Sequence, residues 1–217
     1  MPTKPLPAGR GLPGIALVSA LLLACGGEDT AAPAASSGGA AGQSAAPLCD
    51  VQIAQHPLAP TLHVAECSPL STENFSSIPP SSGNHYPRWA AFKGYDQTIP
   101  WGYYIHSMEH GAVVFLYNCP DGCPEDIAAL KTLIEQLPED PLCTDPAGPR
   151  RRILLVPEPK ISSKFAAAAW GWTLQAPCVD PSTFAAFARD HYAQATEDFC
   201  NDGVDVLAEG LQAGCGE

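Results

Sequence analysis

Residues 112–117 form a nearly continuous apolar run that leads into turn-forming residues. A short apolar run of this kind predicts an interior strand that is buried on both faces of a sheet. Pro124 then opens a helix, because a proline followed by two acidic residues suits a helix N-terminus. The apolar residues after it recur at helical spacing, and Pro138 and Pro141 end the helix.

The remaining pattern predicts further strands and one more helix. Residues 151–156 form a second strand and residues 165–174 a third, although the alanines of the third would also suit a helix. Asp180 and Pro181 open a last helix. Shorter β-prone runs lie at residues 62–67 and 103–105. This order predicts an α/β (α+β) domain, in which helices flank a central mixed sheet.

Residues 68–101 interrupt this pattern with five prolines and two glycines. Such a composition predicts a long, ordered, proline-rich loop in place of regular structure. Four aromatic residues would hold the loop against the core, namely Trp89, Phe92, Tyr95 and Trp101.

Residues 1–24 have the features of a bacterial export signal. Two basic residues precede an apolar stretch that is too short to span a membrane and ends in L-L-A-C at residues 22–25. This ending resembles a lipobox, which predicts cleavage before Cys25 and a lipid on its sulfur. Residues 25–47, the lipidated cysteine and a Gly-, Ala-, Ser- and Pro-rich stretch, would form a flexible tether, and residues 48–217 a single globular domain.

We therefore expect a lipid-anchored protein of the bacterial cell envelope. Gly26 beside the lipidated position favours the outer membrane, and the periplasmic face and the cell exterior are the alternatives. Without residues 1–24, nine basic and 23 acidic residues remain, a formal net charge of −14. Such a surface repels nucleic acid, so we expect no nucleic-acid partner and a membrane contact through the lipid on Cys25. The composition points to no particular protein partner.

Eight cysteines remain beyond Cys25. An even number in an exported chain predicts a disulfide framework, and spacing alone does not choose among the pairings. The candidates are Cys49, Cys67, Cys119, Cys123, Cys143, Cys178, Cys200 and Cys215.

Three of the six histidines lie in two short segments, at His85 and at His106 and His110. Neutral imidazole binds zinc, copper, iron or nickel, so the clustering predicts a metal site. In a strand, His106, Met108 and His110 would share a face, and the thioether would favour copper. In a helix, Glu109 would replace Met108 on that face, which suits zinc or iron.

The flanking residues favour extended or turn structure for this segment, with His85 closing the site from the loop. The alternative without a metal is that these side chains hydrogen-bond the loop onto the sheet. Residues 106–110 also fit H-x-x-E-H, a zinc-peptidase pattern, but that pattern needs a long helix, and a β-prone run begins two residues later. The segment therefore favours metal binding over catalysis, and no catalytic residue is predicted.

The motifs PPSSGNHYP at residues 79–87 and HSMEHGAVV at residues 106–114 resemble a bacterial family catalogued as domain of unknown function 3105. The resemblance covers roughly residues 66–192 and implies an extracytoplasmic location. It singles out His85, His106, Glu109 and His110, and it implies no activity. The eight cysteines lie outside the general pattern of that family.

The motif CPDGCP at residues 119–124 lies between the apolar strand and the N-terminus of the next helix, where a helix dipole lowers a thiol pKa. It resembles the C-P-D-x-C-P loop of the Sco copper chaperones. That resemblance implies a thioredoxin-like fold and a redox or second metal site at Cys119 and Cys123. The alternative is a structural disulfide.

The leading hypothesis is therefore an envelope lipoprotein that binds a transition metal, preferably copper and otherwise zinc. His85, His106 and His110 would be the ligands, with Met108 or Glu109 in support. One alternative is a metal-free binding or structural lipoprotein, and another is a thiol–disulfide or metal-dependent enzyme.

Overall fold

The computed structural model describes residues 49–215, so the export signal, Cys25 and most of the tether lie outside the described residues. Five strands form one sheet in the order β1-β5-β4-β2-β3. The strands are β1 (Gln52–Gln55), β2 (Val113–Tyr117), β3 (Ile153–Pro157), β4 (Phe165–Ala169) and β5 (Trp172–Ala176). The helices are α1 (Trp101–Glu109), α2 (Pro124–Gln136) and α3 (Pro181–His191), with 3-10 turns at Thr72–Asn74 and Leu211–Gly214.

The sheet is mixed, which confirms the predicted fold class. Strands β2 and β3 are parallel and are connected through α2, whereas β2–β4, β4–β5 and β5–β1 are antiparallel. A parallel βαβ unit is followed by an antiparallel hairpin and a closing helix. Among residues 49–215, no helix combines the length and apolarity that crossing a membrane requires.

Both faces of the sheet are covered, because successive side chains of a strand point to opposite faces. Val114 and Leu116 of β2 pack in the core under α1 and the proline-rich loop. Val113 and Phe115 pack in the core under α2 and α3. Strand β2 is therefore an interior strand buried on both faces, as its apolar run predicts.

Several predicted elements are confirmed, and three need correction. The helix from Pro124, the strand near residues 151–156, the helix from Pro181 and the long loop are present. Residues 62–67 do not form the predicted strand, since only His63 makes an isolated bridge there, to His85. Residues 165–174 are not one strand, because Trp170 and Gly171 turn the chain from β4 into β5. The third correction concerns residues 101–109.

Residues 101–109 form helix α1. The predicted strand at residues 103–105 is therefore wrong, and so is the prediction of extended structure for residues 106–109. Eight of the nine residues of α1 are buried, which hides the helical periodicity of polar and apolar residues. Burial on all sides thus overrides the β preference of the tyrosines and Ile105. Gly111 ends the helical segment with φ +85°, a conformation that glycine adopts without strain.

Four disulfides connect the eight cysteines of the described residues: Cys49–Cys178, Cys67–Cys215, Cys119–Cys123 and Cys143–Cys200. Three of them join segments that are 57 to 148 residues apart. The fourth joins residues only four apart. Because a cross-link removes more unfolded-chain entropy when it closes a longer loop, the long-range bridges are the stabilising ones.

A buried ion network connects Arg152, the residue before β3, to the segment after α3. Arg152 is almost fully buried, and its Nε donates to Asp140 Oδ2 at 2.7 Å. Its Nη1 donates to the carbonyl oxygen of His110 at 2.7 Å and to Asp198 at 2.6 Å. Tyr192 donates to Asp140 at 2.6 Å. Arg152 therefore holds in place the carbonyl group of His110, the residue that follows α1.

We predict unequal roles for the disulfides. Replacing Cys67 and Cys215 by serine should lower the free energy of unfolding by about 5 kcal/mol, and replacing Cys119 and Cys123 by only about 2 kcal/mol, from loop-closure entropy alone. Urea denaturation of the two double variants measures the difference. Equal losses would contradict the assignment of the long-range bridges as the stabilising set.

We also predict an acid-sensitive contribution from Asp140. Burial alone would raise the pKa of its carboxyl, but hydrogen bonds from Tyr192 and Leu142 and the charge of Arg152 outweigh it and hold the pKa below the usual value. A depressed carboxyl pKa contributes stability that is present above the unfolded-state pKa and is lost as pH falls through the folded-state pKa.

Asp140→Asn should therefore cost about 3 kcal/mol at pH 7 and reduce the pH dependence of stability below about pH 4. Asp198→Asn, which changes a half-exposed partner of the same Arg152, should cost less than about 1 kcal/mol. Unfolding free energies from pH 3 to pH 8 test this pair. If the unfolding free energy of Asp140→Asn fell as steeply below pH 4 as that of the wild type, the prediction would be contradicted.

Candidate metal site

Four side chains from three separate segments converge beside α1. His106 and Glu109 come from the helix, His85 comes from the proline-rich loop, and His63 comes from the segment before that loop. Each offers one ligand-type atom, and these four atoms all lie within 4.8 Å of one another. Three imidazoles and one carboxylate form a donor set that transition metals accept.

Helix α1 sets the position of two of these groups. His106 and Glu109 are three residues apart, so they lie on the same side of the helix. The loop approaches the helix closely because Gly102 has no side chain, and a Cβ there would lie 2.6 Å from the ring of Tyr86. The close approach places His85, the residue before Tyr86, over the face that carries His106.

Backbone carbonyls fix the orientation of two imidazoles. The Nδ1–H of His85 donates to the carbonyl oxygen of Gly83 at 2.8 Å. The Nδ1–H of His106 donates to the carbonyl oxygen of Tyr86 at 2.6 Å. With the proton on Nδ1, each neutral ring keeps the Nε2 lone pair for a ligand, which is the usual arrangement around a metal-binding histidine.

The contact between His85 and Glu109 is unusual. His85 Nε2 lies 2.9 Å from Glu109 Oε2. Yet this buried nitrogen has no partner in hydrogen-bond geometry within the described residues. Two acceptor atoms repel each other at this distance unless a proton or a metal ion shares them. The pair is thus arranged as two ligands of one cation would be.

His63 completes the group from a more exposed position. The amide of Val64 donates to the carbonyl oxygen of His85 at 2.8 Å, and the amide of His85 donates to that of Leu62 at 3.1 Å. This short parallel pairing places the His63 ring 4.8 Å from the rings of His85 and His106. The His63 side chain is 54% exposed, whereas that of His85 is 1% exposed.

Burial keeps the imidazoles of His106 and His110 neutral. It lowers the pKa of His106 to about 4, although the hydrogen bond to Tyr86 partly offsets the effect and the nearby His85 and His63 add to it. Burial likewise lowers the pKa of His110 to about 3, with further lowering by neighbouring histidines and Arg152. Neutral imidazole is the form that binds a metal, so His106 is in its metal-binding form at neutral pH.

Two residues predicted for the site lie elsewhere. Met108 is fully buried in the hydrophobic core, because the helix directs it away from the face of His106. His110 follows the last residue of α1 and packs between Trp89 and Phe199, with ring centroids at 4.4 and 3.9 Å. Its Nε2 lies 3.1 Å from Glu197 Oε2. His110 is therefore a neighbour of the four-residue group and is not among its members.

The H-x-x-E-H pattern at residues 106–110 does lie on a helix, contrary to the expectation of extended structure. Its two histidine rings are in edge contact, with centroids 4.6 Å apart. Only His106 joins the group with Glu109, whereas Nε2 of His110 lies against Glu197. In the peptidase pattern both histidines bind zinc and the glutamate is the base. The geometry observed at these residues does not match that arrangement.

His63 was absent from the predicted set. Its own segment carries one histidine in a β-prone run, which resembles an ordinary half-buried strand. Only the pairing of residues 62–64 with residues 83–85 brings it to the site, and such a non-local pairing cannot be seen from local sequence patterns. The one available signal was that both His56 and His63 precede His85 in the sequence.

Cys119 and Cys123 lie at the other end of β2 from α1. They form a disulfide between the end of that strand and the start of α2. Five residues of strand span about 16 Å, so this disulfide is well separated from the histidine group. The structure places it on the side of the sheet that α2 and α3 cover.

Comparison with known proteins gives a family and no activity. No curated protein and no solved structure matches the chain. A family model described as a protein of unknown function, DUF3105, matches residues 63–202, which is more than half of the chain. The matched span contains His63, His85, His106 and Glu109. The chain therefore belongs to the DUF3105 family of proteins of unknown function.

Proposed function

We propose that this chain is an extracytoplasmic lipoprotein that binds one divalent transition metal ion, copper(II) or zinc, through His63, His85, His106 and Glu109. The observation that carries the proposal is the contact of His85 Nε2 with Glu109 Oε2 at 2.9 Å without hydrogen-bond geometry. A cation between these two atoms removes their repulsion and uses both lone pairs.

The donor set decides among metals. Three imidazole nitrogens and one carboxylate oxygen suit zinc and copper(II). The expected preference for copper rested partly on the Met108 thioether, which would favour copper(I), and Met108 packs in the core instead. Among the divalent ions, copper(II) has the highest intrinsic affinity for nitrogen and oxygen ligands. Because this donor set accepts both metals, the ion that is bound would depend on which metal is available.

Binding would contract the group. Ligand atoms in a tetrahedral zinc site are about 3.3 Å apart for bonds of about 2.0–2.1 Å. The four atoms here lie within 4.8 Å of one another, so some must approach. His63 is the side chain most able to move, because it is half-exposed, whereas the other three ligands are largely buried.

Four protein ligands favour holding a metal over catalysing a reaction. Catalytic zinc sites keep three protein ligands and leave the fourth position to water or substrate, whereas structural sites are closed by four. Storage, sequestration or transfer of the ion therefore suits this group better than hydrolysis does.

An envelope location agrees with the covalent structure. All eight cysteines of residues 49–215 are paired in disulfides, and disulfides persist in oxidising compartments. The lipobox-like L-L-A-C at residues 22–25 supports a lipid anchor on Cys25.

Labelling with a fatty-acid analogue should mark the wild type and leave Cys25→Ser unmarked.

The metal proposal predicts one equivalent of copper or zinc per chain. The full chain would be produced in an oxidising compartment, purified without chelator, offered each metal in turn and measured by elemental mass spectrometry. The double variant His85→Ala/His106→Ala should retain less than about a tenth of an equivalent, because only one imidazole and one carboxylate remain.

His191→Ala is the matched control. His191 lies on α3 and stacks on Trp172, on the other side of the sheet, so its removal should leave the metal content unchanged. Circular dichroism would check that both variants fold. A folded wild type that takes up neither metal would contradict the proposal and favour a metal-free binding or structural lipoprotein.

A second set of variants tests which residues near α1 are ligands. Glu109→Gln should weaken binding by more than about 100-fold, since loss of an outer-sphere partner alone costs 10- to 100-fold. His110→Ala and Met108→Leu should each change the dissociation constant by less than about threefold. Competition titration with a chromogenic chelator measures all three. Loss of binding in His110→Ala with retention in Glu109→Gln would assign a different ligand set.

A further inference from the structure

We infer that the Cys119–Cys123 disulfide is an exchangeable redox group that accepts electrons from a protein or peptide dithiol. This activity is independent of the metal proposal, since it uses other residues at the other end of β2. The inference rests on the covalent framework, on the position of Cys123 in α2 and on the different accessibility of the two sulfurs.

The covalent framework separates this bridge from the other three. Cys49–Cys178, Cys67–Cys215 and Cys143–Cys200 each join distant parts of the chain, so opening any of them frees a segment. Cys119–Cys123 closes a loop with three intervening residues. Strand β2 and helix α2 stay in place through sheet pairing and core packing when this bridge opens. It can therefore open and close at a smaller cost to the stability of the fold than the long-range bridges.

Cys123 occupies the N-cap position of α2. A helix leaves its first amide N–H groups without intrahelical acceptors, and an N-cap side chain normally accepts from one of them. As a disulfide, Cys123 makes no such side-chain bond within the described residues. As a thiolate, Cys123 would accept hydrogen bonds from those amides, and the helix dipole would stabilise its negative charge. The reduced form of the bridge is therefore favoured at this position.

Acidic residues reduce this effect without removing it. Glu125 and Asp126 lie in the first turn of α2. Asp126 is paired with Lys164 at 2.9 Å, which offsets its charge.

The two sulfurs differ in access. Cys119 is half-buried, and residues 120–122 between the cysteines are exposed. Cys123 is 4% exposed and packs in the core under α2 and α3. An incoming thiolate therefore reaches the sulfur of Cys119, and Cys123 is the leaving group.

The exchange proceeds in two balanced steps. A substrate thiolate attacks Cys119 Sγ, the Cys119–Cys123 bond breaks, and Cys123 leaves as a thiolate while a mixed disulfide forms. The second substrate thiol loses its proton and attacks the substrate sulfur of that mixed disulfide, and Cys119 leaves. The substrate dithiol is oxidised to a disulfide, the chain gains two electrons, and the two substrate protons pass to Cys119 and Cys123 or to solvent.

The first experiment measures the order of reduction. The oxidised full chain, kept in excess chelator so that metal binding has no influence, would receive limiting dithiothreitol and then iodoacetamide. Peptide mass spectrometry would follow alkylation at each cysteine over time. Cys119 and Cys123 should react at least about tenfold faster than the other six cysteines. Earlier or equal reduction of a long-range bridge overturns the inference.

The second experiment separates an active disulfide from one that is merely exposed. The oxidised chain should oxidise a model peptide dithiol at least about tenfold faster than glutathione disulfide does at the same concentration, and Cys119→Ser should abolish this reaction. A rate no faster than that of glutathione disulfide overturns the proposed activity.

Single-cysteine variants test the assigned order of attack. The free Cys119 thiol of Cys123→Ser should form a mixed disulfide with glutathione disulfide at least about tenfold faster than the free Cys123 thiol of Cys119→Ser. Both variants lose the same bridge, so stability does not distinguish them. Faster reaction at Cys123 overturns the assignment of Cys119 as the attacked sulfur.

Discussion

The hydrogen bond from His106 Nδ1 to the carbonyl oxygen of Tyr86 joins helix α1 to the proline-rich loop, and the histidine group depends on this junction. It fixes the tautomer and orientation of His106, and it holds the loop where His85 meets Glu109. The absence of a side chain at Gly102 permits the close approach. Arg152 supports the same unit by binding the carbonyl oxygen of His110 at the end of the helix. A buried helix and a rigid loop thus position one another.

Strand β2 organises the two chemical features of the chain. The helix that enters it carries His106 and Glu109, and the turn that leaves it carries Cys119 and Cys123. The first group packs on one face of the sheet and the second on the other. An interior strand buried on both faces is a rigid spacer, so events at one group need not disturb the other. Two independent activities on one domain are consistent with this separation.

Elements with a local signal could be predicted from the sequence. Strand β2 had its continuous apolar run, and α2 and α3 had a proline in the first turn. Helix α1 could not be predicted, because nearly complete burial removes the polar face that marks a helix, and Trp101, Tyr103, Tyr104 and Ile105 favour strands in isolation. The proximity of His85, His106 and Glu109 could be predicted from their clustering in the sequence. His63 depended on a non-local backbone pairing, and the exclusion of Met108 depended on the helix.

X-ray absorption spectroscopy of the metal-loaded protein would identify the ligands themselves, because it counts the atoms bound to the ion. With zinc, we expect three imidazole nitrogens and one oxygen at about 2.0–2.1 Å from the ion and no bound sulfur. The imidazole signal should fall from three rings to two in His63→Ala. A sulfur ligand at about 2.3 Å, or three imidazoles retained in His63→Ala, would contradict the site described here.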